Sequence, residues 1–244
     1  MSHSAVPGVV FCCVMLLVSC VATVTQQAPR YRFIAPPPIQ NALLAQTFQS
    51  IVLVQQGWGM GTGFVIGLDS DWVYFMTAEH VVENHDDAKV DGIAARVFAI
   101  APDHDLAILR APNIGLYSDI FVFANPHIDT TVWALGYSGW RGDLVQLVHR
   151  GFIVSFDFRG LNGGWTVLHN AGGRGGMSGG PLIDQNGEVV GVCSFFADMG
   201  LDRHNAVNAS ELAAVPGPSA KMFWDMVQRG FHLVPEPEVP DVDQ

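Results

Sequence analysis

The chain has 244 residues, of which 49% are hydrophobic and 14% are charged, a composition typical of a folded protein with a buried core. Its formal net charge of −11 at pH 7 argues against a nucleic-acid partner, because such binding needs a basic surface that releases counterions from phosphates. Length and composition together predict one globular unit built in two halves.

Residues 1–25 differ from the rest of the chain. The run "VVFCCVMLLVSCVATV" has no charge and has the length of the apolar part of an export signal. Within it, "LVSC" resembles the lipobox of bacterial lipoproteins, which makes Cys20 the candidate for lipidation. Arg30 and Arg32 follow the apolar run, so an anchor that leaves the domain in the cytoplasm is the alternative. We expect a signal peptide or lipoprotein leader, and a protein that is periplasmic, in the cell envelope or secreted, with membrane attachment left open.

Proline-rich segments flank the central region. Residues 26–45 contain "APRYRFIAPPPIQ" and predict an extended tether, and residues 233–244 form an acidic, proline-spaced tail. Three of the four cysteines lie in the leader, and Cys193 is left without a partner. We therefore expect no internal disulfide in the mature chain.

Residues 46–232 have the rhythm of short strands. Apolar segments of four to thirteen residues alternate with Gly, Asn, Asp or Pro, which predicts an all-β barrel or sandwich. Near the end, "PSAKMFWDMVQRG" is the one segment with helical periodicity. In chain order the predicted strands are "SIVLVQQ", "GTGFVIG", "WVYFMTA", "ARVFAIA", "LAILRA", "TVWALGY", "LVQLVHRGFIVSF", "WTVLHNA", "PLID" and "EVVGVCSFF".

One serine stands in an unusually glycine-rich loop. The stretch "GGRGGMSGGPLID" surrounds Ser178 with six glycines, which allow another group to approach the backbone closely. It formally fits G-x-S-x-G, the nucleophile elbow of α/β hydrolases. An elbow leads directly into a helix, whereas Pro181 and a strand-like segment follow here. The pattern therefore indicates a reactive serine in a β protein.

Two further motifs precede this serine. "MTAEHVV" contains His80, and "DHDLAILR" contains Asp105. With "GMSGGPL", and with "GTGFVI" and "GEVVGVCSF" beside them, these motifs resemble the chymotrypsin-like (trypsin-like) serine proteases over residues 48–212. The closest resemblance is to the bacterial Deg/HtrA-type protease domain, here with no PDZ domain expected after it. The resemblance implies a chymotrypsin-like double β-barrel with a C-terminal helix.

The chemistry of these residue types agrees with the resemblance. A serine hydroxyl becomes a nucleophile when an imidazole takes its proton, and a buried carboxylate orients that imidazole. Ser178, His80 and Asp105 are the predicted triad of a serine endopeptidase that forms an acyl-enzyme, with protein or peptide substrates. The amides of Gly176 and Ser178 are the predicted oxyanion hole. The alternative is a catalytically inactive protease-like fold that acts as a binding module.

The sequence offers a second candidate for the acid and one candidate cluster for a metal. Asp103 is two residues from Asp105, and "LAIL" directly after Asp105 favours the latter. His85, Asp86 and Asp87 are interpreted as a solvated loop, because no second ligand cluster is evident. We expect no metal and no cofactor, and predict no particular oligomeric state.

The resemblance also indicates the walls of the pocket for the substrate residue that precedes the cut. Gly172 lies at the expected base, six residues before Ser178, and Ser194, Phe195 and Phe196 contribute the other wall. No acidic residue occurs from Gly163 to Pro181, so basic substrate residues are disfavoured. Aromatic bulk at Phe195 and Phe196 predicts a shallow pocket for Ala, Val or similar small aliphatic residues, and packing of one of these rings in the core is the alternative. Attraction of an acidic side chain by Arg174 is left open.

Overall fold

The computed structural model describes residues 32–34, 42–82, 88–140, 143–157, 166–194 and 212–230. These residues form two seven-stranded sheets, with a C-terminal helix packed on the second of them. The leader, the acidic tail and the loop with His85, Asp86 and Asp87 lie outside the described residues, as do Phe195 and Phe196.

The first sheet carries the histidine and aspartate motifs. Its strands follow the order β6-β5-β2-β3-β4-β8-β7, and all neighbouring pairs are antiparallel. The turn of the β2–β3 hairpin contains Gly57 at φ +55°, a left-handed conformation that favours glycine. The strands are β2 (Ile51–Gln56), β3 (Gly59–Leu68), β4 (Trp72–Thr77), β5 (Lys89–Val90), β6 (Ile93–Ala94), β7 (Arg96–Ile100) and β8 (Ala107–Pro112).

The second sheet carries the serine motif. Its strands follow the order β1-β10-β11-β14-β13-β12-β9, and β9 also pairs with β10, so six strands close a ring. The two sheets confirm the predicted all-β double barrel. The strands are β1 (Arg32–Ile34), β9 (Thr131–Trp140), β10 (Asp143–Asp157), β11 (Thr166–His169), β12 (Pro181–Ile183), β13 (Val189–Cys193) and β14 (Leu212–Pro216).

The core has three parts. One cluster fills the first barrel, a second fills the second barrel, and the third lies between the barrels, where strands of both sheets meet helical residues. β3 contributes to two of them: Val65 packs inside the first barrel, whereas Phe64 and Ile66 pack between the barrels. Because both faces of β3 are buried, its sequence is nearly continuously apolar instead of alternating. The barrels are thereby joined along β3, which also reaches the predicted site through Thr62.

Some elements differ from the sequence-based expectation. The segment predicted as a tether contains β1, which pairs in parallel with β10, and the start of helix α1 (Ala42–Gln49). The predicted boundary at residue 46 falls inside α1, whose Phe48 joins the core between the barrels. β14 was not predicted either, because its small residues lack a period-2 pattern. The predicted C-terminal helix is α2 (Gly217–Gln228). In the described part of the chain, no helix is both long and apolar enough to span a membrane.

Candidate active site

His80 lies on a short 3-10 turn, Glu79–Val81, directly after β4. Its ring Nδ1 is 2.7 Å from Oδ2 of Asp105, and its backbone N–H donates to Oδ1 of the same carboxylate at 3.0 Å. Two bonds from one residue to both carboxylate oxygens hold the imidazole in a defined orientation. The His80 side chain is 29% exposed, so the residue remains accessible to solvent.

Asp105 is 3% exposed and ends the loop that precedes β8. Burial alone raises the pKa of this carboxyl, but the hydrogen bonds and charge of His80, with a hydroxyl from Ser194, outweigh it and hold the pKa below its usual value. The group is therefore a carboxylate at neutral pH. Asp103, the competing acid, has an exposed side chain.

Ser194, predicted as part of the pocket wall, donates its hydroxyl to Oδ2 of Asp105 at 2.5 Å. Its side chain is fully buried, and its backbone N–H donates to the carbonyl of Ala213 on β14. Ser194, from the second barrel, thus forms a hydrogen bond with the Asp105 carboxylate of the first barrel. Sequence reasoning missed this contact, although a serine that ends a buried apolar strand was the available signal. A substrate-binding role for Ser194 stays a prediction.

The loop around Ser178 has its shape because particular positions are glycine. Gly176 and Gly179 have φ of +97° and +83°, a conformation that side chains rarely adopt. A Cβ on Gly179 would lie 2.3 Å from the carbonyl oxygen of Thr62 and 2.6 Å from the backbone nitrogen of Ala78. The serine loop therefore packs directly against the strand end that leads to His80.

Thr62, on β3, bridges the two barrels at the serine loop. Its N–H donates to the carbonyl of Ser178 at 2.8 Å, and its hydroxyl donates to the carbonyl of Gly176 at 2.7 Å. The same hydroxyl accepts from the N–H of Tyr137 on β9 at 2.8 Å. These three bonds position the serine relative to the first barrel. Thr62 was not predicted; a polar residue between the glycines of an apolar strand was the signal.

The predicted oxyanion hole has free donors. Within the described ranges, the amides of Gly176 and Ser178 donate to no other protein group, whereas those of Met177, Gly179 and Gly180 are all used inside the fold. Ser178 itself is 7% exposed. Two unused N–H groups on either side of Met177 are the donors that the predicted oxyanion hole needs, and their role stays a prediction.

The remaining pocket residues are placed only in part. Gly172 has φ +78° and lies against His149 of β10. Cys193 is a buried free thiol whose pKa burial raises to about 12. Phe195 and Phe196 are outside the described residues, so their role in the pocket wall stays a prediction.

Comparison with solved structures places this architecture among known proteases. The chain is similar to Rv3671c from M. tuberculosis H37Rv, an inactive serine-to-alanine mutant, with 24% identity, TM-score 0.62, and coverage of 84% of this chain and 100% of that one. A serine endoprotease from Yersinia pestis matches with 20% identity, TM-score 0.61, and coverage of 80% and 68%. The HtrA-type protease AlgW, solved with a tripeptide, matches with 19% identity, TM-score 0.63, and coverage of 77% and 63%.

Sequence comparison agrees. No curated protein matches the chain significantly. The family model for the trypsin-like peptidase domain matches residues 61–192, more than half of the chain, and this range contains His80, Asp105 and Ser178. The chain therefore belongs to the family of trypsin-like peptidase domains, with the double β-barrel of the chymotrypsin-like serine proteases.

Proposed function

We propose that the protein is a serine endopeptidase in which Ser178 is the nucleophile, His80 the general base and Asp105 the residue that orients His80. The observation that carries the proposal is the bond of 2.7 Å between Nδ1 of His80 and a buried carboxylate whose pKa is lowered. A carboxylate at Nδ1 keeps the proton there and leaves the lone pair of Nε2 available as a base.

In the proposed acylation step, Ser178, His80 and the oxyanion-hole amides act together. The Ser178 oxygen attacks the carbonyl carbon of the scissile peptide bond while Nε2 of His80 takes the hydroxyl proton. The carbonyl oxygen becomes an oxyanion, and the free amides of Gly176 and Ser178 donate to it. His80 passes the proton to the leaving amine, and the acyl group stays on Ser178 as an ester.

Deacylation repeats the sequence with water. His80 takes a proton from the water as its oxygen attacks the ester carbonyl, and then returns that proton to the Ser178 oxygen as the carboxylic acid product leaves. Asp105 stays ionised throughout and stabilises the imidazolium that forms twice in each cycle. Each oxyanion-hole donor contributes about 3–4 kcal/mol to the transition state.

Covalent labelling tests the proposal directly. The folded protein is treated with a fluorophosphonate, and the adduct is located by mass spectrometry. We expect modification at Ser178 alone and none in Ser178→Ala or in urea-unfolded protein, because only the folded site activates the hydroxyl. Folded protein that carries no adduct on Ser178 would instead support the binding module, which keeps the barrels without the chemistry.

We further propose that the leader directs export and that Cys20 is its lipidation site. Support comes from the uncharged apolar run and the "LVSC" sequence. A lipidated chain starts at Cys20 and partitions with membranes, and Cys20→Ser releases it or blocks processing. A mature N-terminus beyond Cys20 contradicts lipidation, and a domain found on the cytoplasmic side with its leader intact contradicts export.

A further inference from the structure

An imidazole lies at the base of the predicted specificity pocket. A Cβ built on Gly172 would lie 3.3 Å from Nδ1 of His149 and 3.6 Å from its Cγ. A side chain at residue 172 would therefore project onto the His149 ring. Because residue 172 is glycine, the polar group at this place comes from β10 instead of from the serine loop.

The His149 ring belongs to the inner face of the second barrel. Its cross-strand partner Ala134 is fully buried in the cluster that fills this barrel, and Ile153, four residues further along β10, is in the same cluster. Side chains at alternate strand positions share a face, so His149 points inward with them. An apolar interior provides few partners for an imidazole.

The two ring nitrogens of His149 differ in accessibility. Nε2 is sealed from solvent and has no hydrogen-bond partner among the described residues. Nδ1 faces Gly172 and is also unbonded within the described part, but it is not sealed. Buried polar atoms are normally paired, so an unpaired imidazole here calls for an explanation. A substrate side chain that enters over Gly172 would meet Nδ1 first.

Positive charge lies at the same place. Burial lowers the pKa of His149, and the charge of Arg174 lowers it further, which puts the guanidinium within electrostatic reach of the ring. Arg174 is exposed and lies two residues from Gly172. No acidic residue occurs between Gly163 and Pro181 to offset this charge. A neutral imidazole, together with a guanidinium that no acidic residue pairs with in the described part of the chain, suits an anionic group.

We propose that His149 and Arg174 determine specificity by binding a carboxylate side chain, glutamate or aspartate, on the substrate residue that precedes the cut. In this arrangement Nδ1–H of His149 donates to the carboxylate, and Arg174 provides the opposite charge. The inference rests on the proposed serine endopeptidase function. It replaces the expected preference for small aliphatic residues, because apolar contact alone discriminates weakly, whereas a buried polar group left unpaired penalises substrates that cannot bond to it.

Peptidyl diphenyl phosphonates that differ only in the first side chain test this proposal. The Ser178 oxygen bonds to phosphorus, phenoxide leaves, and the serine proton passes through His80 to give phenol, so the rate reports the fit of that side chain. Probes with Glu, Gln, Ala and Lys side chains are compared on the intact protein. We expect the Glu probe to react about tenfold or more faster than the Ala probe, since bonds to charged groups are the stronger ones. The Lys probe reacts slowest.

Variants at Arg174 and at His149 separate the effect of charge from that of hydrogen bonding. The Arg174 side chain is exposed, so Arg174→Glu should keep the fold. We expect this variant to react more slowly with the Glu probe and faster with the Lys probe. Arg96→Glu, on the exposed edge strand β7 of the first sheet, is the matched control and leaves the order of probes unchanged. His149→Leu removes the donor, so the Glu and Gln probes lose their advantage over Ala. His149→Gln keeps a hydrogen-bond donor, so the Glu and Gln probes should retain part of their advantage over the Ala probe.

A simple fluorophosphonate has no such side chain, so labelling with it distinguishes failure of the specificity proposal from failure of the proposed function. If it modifies Ser178 while the Ala or Lys probe reacts as fast as the Glu probe, the specificity proposal is wrong and the proposed function stands. An unchanged probe order in Arg174→Glu and His149→Leu also overturns the specificity proposal. If the fluorophosphonate leaves folded protein unmodified, the proposed function fails and the specificity proposal with it.

Discussion

The two barrels contribute to the site in different ways. The first barrel supplies side-chain chemistry: His80 is joined to the buried Asp105 by two hydrogen bonds. The second barrel supplies backbone: Ser178 lies in a loop whose carbonyls are bonded to Thr62 while two of its amides stay free. The histidine and aspartate thus depend on side-chain bonds, and the serine loop depends on glycine conformations.

The contrast shows where each half is vulnerable. Side-chain bonds fail when one atom is replaced, even with the fold intact. A backbone loop fails when its anchors or its glycines change, because the free amides then point elsewhere. Contacts between the barrels, through Thr62 and Ser194, make each half depend on the other.

The largest expected effect comes from removing the nucleophile. Ser178→Ala should lower kcat about 10⁶-fold, and His80→Ala by a similar factor, because these residues act as a unit. Activity is measured as the rate of peptide cleavage. Circular dichroism of each variant is the control for folding. Substantial residual cleavage by folded Ser178→Ala would mean that another residue is the nucleophile.

The next effect tests the acid of the first barrel. Asp105→Asn should lower kcat about 10⁴-fold, because an amide at this place favours the wrong imidazole tautomer. Asp103→Asn, whose parent side chain is exposed, is the matched control and should have little effect. The comparison is made from kcat/KM on one peptide. A larger loss in Asp103→Asn would show that the acid is assigned incorrectly.

Thr62→Val breaks the link between the barrels. Valine keeps the shape but leaves the Gly176 carbonyl and the Tyr137 N–H without their bonds, which should cost about 2–5 kcal/mol in the free energy of unfolding. The loosened loop should also lower kcat about tenfold or more. Thr62→Ser retains the hydroxyl and should stay near wild type in urea unfolding and in activity. Equal behaviour of the two variants would show that the hydroxyl does not hold the loop.

The smallest effect concerns a second buried imidazole. His169, on β11, is fully buried with neither ring nitrogen paired among the described residues, and burial lowers its pKa from 6.5 to about 4. In the unfolded chain His169 is protonated below about pH 6.5, whereas in the folded protein it is protonated only below about pH 4. The free energy of unfolding therefore falls as the pH drops through this window. The loss amounts to at most about 3 kcal/mol.

His169→Leu tests this effect by urea unfolding between pH 7 and pH 4. The variant should lose less stability on acidification than the wild type, and should be at least as stable at pH 7, because no bonded partner is removed. The exposed His127→Leu is the control and should keep the wild-type slope. An unchanged slope in His169→Leu would show that His169 is not the group responsible.

The strand rhythm, the order of the three motifs and the glycine frame of Ser178 could be predicted from sequence because each is local. The apolar pattern of a strand spans only a few residues, and the glycines that a loop with positive φ requires lie within that loop. The strand rhythm left barrel and sandwich open, and the resemblance of the three motifs to the chymotrypsin-like proteases implied the double barrel; helical periodicity identified the C-terminal helix. Sequence reasoning missed β14, which is buried throughout, and α1, whose Phe48 is buried by distant partners, because neither has a clear local pattern.

The tertiary structure alone decided which groups meet across the barrels. Nothing near Thr62 or Ser194 in the chain indicates contact with Gly176 or Asp105, since each pair is separated by many residues and meets only when the barrels pack. The approach of His149 to Gly172, within the second barrel, is equally invisible in the local sequence. The motif around Asp105 favoured it over Asp103 as the acid, and the structure brings the buried Asp105 carboxylate to His80. Local sequence patterns record which face of a strand is apolar, whereas the partner of a polar group depends on the packing of the whole chain.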